Sequence, residues 1–103
     1  MGGVTPADPE AAARVLLAEA RADIDALDDQ MVDLLIQRVA VVERVLVIKR
    51  QAGIPALLPE RVEEVVERVC ARARAAGLPE DLTDALWRRL IQWTIDYENE
   101  RLV

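Results

Sequence analysis

The stretch from Asp33 to Arg50, DLLIQRVAVVERVLVIKR, decides how this chain folds. Read with the residues before it, it sets Ile24, Leu27, Met31, Leu34, Val41, Val45 and Ile48 at helical spacing, one apolar face of an α-helix. Between Leu34 and Val41 the row wants one more apolar side chain, and the sequence places Arg38 there. A guanidinium in a buried stripe needs a reason. It can snorkel to the rim, pair with a carboxylate, or be kept for a ligand.

Outward from this stretch, no Gly or Pro interrupts the helical pattern between Pro9 and about Lys49. Asp8 is suited to cap that helix, Pro9 to its first turn, and Glu10 to its positive end. Such a helix of some forty residues is roughly 60 Å long. In QAGIPALLPE, Gly53 and Pro55 end it and Pro59 starts a second helix. The second ends near AAGLPED, with Gly77 as C-cap, and Pro79 opens a third that runs to the C-terminus. No strand pattern, repeat or low-complexity tract is present. The expectation is an all-α fold of three helices with a very long first one, forming a single domain over residues 1–103 with residues 1–8 flexible. The shorter helices, each near twenty residues, cannot cover the long stripe. A second copy must supply the cover, so an intertwined helical homodimer is expected.

Composition narrows the function. The 103 residues are 52% hydrophobic, with two Trp, one Tyr and no Phe. Thirteen basic against nineteen acidic residues leave a net charge of −6, which argues against nucleic acid or an anionic membrane as partner. With one cysteine there is no intramolecular disulfide, and without histidine a metal site is not expected. Cys70 falls at a core-compatible helical position. The N-terminus lacks the pattern of a signal peptide or myristoylation signal, and no apolar run has membrane-spanning length; a cytoplasmic protein is expected.

Four cations and a polar pair stand out. Arg38 and Lys49 are eleven residues apart, three helical turns, and so face one side. Arg21, seventeen residues before Arg38, points about 100° away and reaches an Arg38 pocket only from another chain. Arg61 stands in the first turn of the second helix, where the helix dipole disfavours positive charge. On the third helix Trp87, Ile91, Thr94 and Glu98 share a face, so two polar groups extend an apolar row. Each has a plainer reading: Lys49 as a solvated dipole partner, Arg61, Glu64 and Arg68 as a surface ion-pair ladder, Thr94 and Glu98 as surface residues, and both tryptophans as packing residues. Taken together they describe a pocket for a compact polyanion. No nucleophile–base pair or Gly-rich loop accompanies it, so chemistry there would proceed by positioning and electrostatics.

The segments RADIDALDDQMVDLLIQRVAVVERVLVIK, GIPALLPERVEEVVERV and AGLPEDLTDALWRRLIQWTIDYENE resemble the all-helical chorismate mutase family over roughly residues 17 to 100. The resemblance implies an intertwined dimer with two active sites. Arg21 would be contributed in trans, and Arg38, Lys49 and Arg61 would belong to the home chain. Thr94 falls where the family has a small hydroxyl residue, and Glu98 where it has Gln or Glu. Family members carry an acidic residue directly after the arginine of the second helix, and often another three residues before it. These groups help to hold the ring hydroxyl of chorismate; here the positions are Val62 and Leu58. IPALLPERV and LIQWTIDYENE resemble a side branch that includes isochorismate-pyruvate lyases and 4-amino-4-deoxychorismate mutases.

The resemblance thus implies a cofactor-free rearrangement of chorismate or 4-amino-4-deoxychorismate to a prephenate-type product. Arg38, Arg61 and the second copy's Arg21 would hold the two carboxylates. Lys49 and protonated Glu98 would donate to the ether oxygen, Thr94 would assist binding, and Val45, Ile91 and Ile95 would form a dry wall. The alternatives are an isochorismate-pyruvate lyase, giving salicylate and pyruvate, and a non-catalytic helical dimerisation module.

Overall fold

The structure, a computed structural model, describes residues 8–102; the expectation of a flexible N-terminus falls on residues almost all outside that range. Three α-helices follow in order: α1 Pro9–Ala52, α2 Pro59–Ala76 and α3 Glu80–Arg101. The fold is all-α, with the very long first helix that the sequence implies. Asp8 caps α1 through its side chain, accepting a 3.0 Å hydrogen bond from the Glu10 N–H. At the other end of α2, Gly77 takes a left-handed φ of 77°, and the Leu78 N–H reaches back to the Ala73 carbonyl at 2.8 Å. That conformation is open to glycine at no steric cost, which is why AAGLPED ends the helix where it does. Pro79 proves to be the N-cap of α3 and not its first residue. No described helix is long and apolar enough to cross a membrane.

The chain divides into two compact units, residues 1–39 and 40–103. The described part of the first is α1 alone up to Val39, with Ile24, Leu27, Met31 and Leu34 all more than half exposed. Leu16, Val32 and Ile36 are equally bare on its other sides. Large apolar side chains and the acids Asp23, Asp25, Asp28, Asp29 and Asp33 thus share this exposed stretch of α1.

The second unit holds the last turns of α1 with α2 and α3. Val42 and Leu46 from α1, Ala56 from the loop, Val66, Val69 and Ala73 from α2, and Ile91 from α3 make its core. The buried face of α1 here is one residue away from the row read in the sequence: Val41, Val45 and Ile48 stay exposed while Val42 and Leu46 are covered. Both rows are apolar, so periodicity alone does not say which one meets α2 and α3. The face that does carries Lys49 as its next member, seven residues after Val42 and three after Leu46.

Candidate active site

Lys49 and Glu98 meet inside the second unit. The Nζ of Lys49 lies 2.9 Å from Oε1 of Glu98, with the side chains only 12% and 5% exposed. The helices explain the meeting. Val42 and Leu46 seat the end of α1 in the core and carry Lys49 inward, and on α3 the buried Ile91, Thr94 and Glu98 follow at steps of three and four. The ammonium also donates a 2.9 Å hydrogen bond to the Ala56 carbonyl. The contact with Glu98 is close in distance but lies off the hydrogen-bonding directions, so buried Oε1 is left without a hydrogen bond. Coulomb attraction needs only proximity, and a hydrogen bond needs alignment as well; Oε1 has the first and lacks the second. An unsatisfied buried acceptor costs about 1–3 kcal/mol and marks a place where a further donor would be welcome. Thr94 is buried beside this pair on the same helix face, its hydroxyl donating to the Leu90 carbonyl at 2.9 Å.

The other candidate residues are placed as follows. Ile91 is buried, and Ile95 and Val62 are half-buried. Val45 and Leu58 stand at the edge of exposure, at 37% and 36%. Arg61 is on the surface of α2, its guanidinium 2.5 Å from Glu64, which matches the plainer ion-pair reading within one chain. Arg21 is exposed and Arg38 half-buried, both in the first unit. The structure thus brings together Lys49, Glu98, Thr94 and Ile91. Glu98 and Thr94 are buried and not surface residues.

Two features had no signal in the sequence. The Ala56 carbonyl is a main-chain group that any residue would supply. The second is a set of ties between α3 and the end of α1. The Tyr97 hydroxyl donates to Glu43, and Arg50 donates to the Arg101 carbonyl at 3.0 Å. Trp93 stacks on Tyr97 at 4.9 Å, and the Arg101 guanidinium sits 3.5 Å from the Tyr97 ring centroid. Trp93 is therefore a half-open stacking partner and not a core residue, at 41% exposure.

A separate open cleft of about 650 Å³ is lined by Glu63, Glu67, Cys70, Glu80, Asp84 and Arg88 among others. Its chemistry is wrong for a polyanion. Hydrogen bonds from Arg88, reinforced by its charge, hold the Glu63 carboxyl below its ordinary value, and a hydrogen bond from Arg74 does the same for Glu80. The arginines there are already engaged by acids of the same surface.

The all-helical second unit thus holds a nearly buried lysine–carboxylate contact between α1 and α3. Residues 20–99 match the family described as chorismate mutase type II. The chain belongs to that family. It is 32% identical over 85 residues to a T-protein of Enterobacter agglomerans, covering 82% of this chain and 23% of that protein. A T-protein of Haemophilus influenzae is 31% identical over 84 residues, covering 82% of this chain and 22% of that one. The chain thus spans less than a quarter of the length of these relatives.

Removing one member of a buried pair leaves the other charge stranded. Lys49→Met is expected to destabilise the fold by about 3 kcal/mol. Adding Glu98→Leu to that variant is expected to recover most of the loss. Urea unfolding of the single and double variants at one protein concentration checks this, and additive losses would show that the two groups do not depend on each other.

Proposed function

We propose that this domain catalyses a cofactor-free pericyclic reaction, the [3,3] rearrangement of chorismate or 4-amino-4-deoxychorismate to a prephenate-type product. The observation that carries this reading is the buried Lys49–Glu98 contact, within a domain of the chorismate mutase family. In the rearrangement a C–O ether bond breaks while a C–C bond forms at the far end of the enolpyruvyl group. Electrons move around a six-atom ring, no proton leaves, and no base is needed. What a protein adds is a compact substrate conformer and donors aimed at the ether oxygen, where negative charge grows.

Lys49 supplies one donor. One of its three N–H groups is engaged by the Ala56 carbonyl, which leaves others for substrate. Glu98 supplies a second donor when protonated. Its Oε1 lies against the ammonium without accepting a hydrogen bond from it, and its other oxygen would then carry the proton toward the ether. Arg38, Arg61 and Arg21 of a second copy bind the carboxylates. For Arg61 this means exchanging Glu64 for substrate, and an exposed pair of that kind is worth only about 0–1 kcal/mol. Thr94 assists binding, and Val45, Ile91 and Ile95 keep the pocket dry.

The second copy forms a homodimer with this one. Its support is the bare apolar surface of α1 up to Val39, which no part of that unit covers. Leu58 and Val62 bear on the choice of substrate. Leu58 is the N-cap of α2 and gives no side-chain cap, where a polar residue would stabilise the helix by about 1 kcal/mol. Neither side chain accepts a hydrogen bond, so neither rewards a ring hydroxyl.

Incubation with chorismate, 4-amino-4-deoxychorismate and isochorismate in turn, with product identification, tests the proposal. We expect chorismate to be turned over with kcat/KM at least about tenfold below that for another member of this set. Efficient turnover of chorismate alone would contradict the role given to Leu58 and Val62. Pyruvate release from isochorismate alone would identify a lyase, and a folded protein inert to all three would leave a dimerisation module. A second measurement addresses Glu98. Glu98→Gln, which is nearly isosteric and keeps a donor, is expected to retain turnover, and Glu98→Ala, which removes it, to lose most of it. Equal turnover in the two variants would remove Glu98 as a donor.

A further inference from the structure

Lys49 is the single lysine in the chain, beside twelve arginines. Where this sequence needs a surface cation it uses Arg; the one ammonium is placed where it is nearly buried. A lysine side chain has four rotatable bonds and much rotamer entropy to lose, so something must hold its end in place. Glu98 supplies attraction but not direction, because its contact with Nζ is off the hydrogen-bonding axes.

Direction comes from the turn that follows α1. The Ile54 N–H donates to the Lys49 carbonyl at 2.9 Å, and the Lys49 ammonium donates to the Ala56 carbonyl at 2.9 Å. The same short turn therefore grips Lys49 at its main chain and at the tip of its side chain. Gly53 makes the turn possible with a φ of 68°, a left-handed conformation that residues with a Cβ rarely adopt. Ala56 is itself only 5% exposed, so its carbonyl is fixed by packing and not free to follow the lysine.

We infer that the 53–56 turn is a positioning device for Lys49, with the Ala56 main-chain carbonyl setting the direction in which the remaining ammonium N–H groups point. Ala56 is a positioning residue and not a catalytic one, since it acts through Lys49. The catalytic consequence rests on the function proposed above; the grip on the ammonium does not.

The test replaces the amide between residues 56 and 57 of the full chain with an ester, by incorporating the α-hydroxy analogue of leucine at Leu57. The change weakens the Ala56 carbonyl as an acceptor and alters no side chain. Because the chain has one lysine, its ammonium gives a single 15N–1H resonance that needs no assignment. We expect the ester to shift that resonance or lose it to faster hydrogen exchange, while Glu98→Gln leaves it observable. With the substrate that the enzyme turns over, kcat should fall about tenfold with KM changed less than about threefold, the mark of a misaimed donor. An unmoved resonance in the ester, or a resonance lost in Glu98→Gln and kept in the ester, overturns the inference. A moved resonance with unchanged kcat overturns its role in turnover. If the ester chain does not fold, Ala56→Gly, which frees the carbonyl from its packed position, is read by the same resonance. Failure of the proposed function would show separately, as full activity in Lys49→Gln.

Discussion

The meeting of Lys49 with Glu98 is the constraint on which the rest of the second unit depends. Placing an ammonium and a carboxyl where little water reaches costs several kcal/mol per ion before their attraction is counted. The chain meets that cost with structure around both groups. Val42 and Leu46 anchor the end of α1, Ile91 and Thr94 anchor the facing turn of α3, and the Ala56 carbonyl takes one ammonium proton. The Tyr97–Glu43 and Arg50–Arg101 contacts tie α3 and α1 together at the same level. An ammonium and a carboxyl are held close yet imperfectly satisfied, a poor arrangement for stability alone and a good one for a polar ligand.

The fold was legible in the sequence because its punctuation is chemical. Asp8, Gly77 and the prolines at 9, 59 and 79 mark helix ends through hydrogen-bonding capacity and allowed φ, and those properties do not depend on tertiary context. The forty-residue run without Gly or Pro became α1. The face of α1 that packs in the second unit was not legible. Val41, Val45 and Ile48 compete with Val42 and Leu46, and only the presence of α2 and α3 decides between two apolar rows.

The site was legible in part. In the sequence Lys49 shares the face of Arg38 and Glu98 extends an apolar row, and the structure buries both against each other. Arg61 shows the limit of such reasoning: alternating charge at three- and four-residue steps describes a surface ladder as well as a pocket, and within one chain it is paired on the surface. The Ala56 carbonyl could not be foreseen, because a main-chain acceptor leaves no trace in residue identity. Arg21 lies on the exposed stretch of α1, where nothing of its own unit covers it.

The proposed function depends on a second copy completing the site around Lys49 and Glu98. Arg21→Ala and Lys49→Gln, each purified as an inactive protein, can be unfolded together, refolded as a mixture and assayed. If Arg21 acts in trans, a heterodimer carries one pocket with both residues and one with neither. Random pairing should then return about a quarter of the native activity. Verified heterodimers with no recovered activity would contradict a pocket shared between chains.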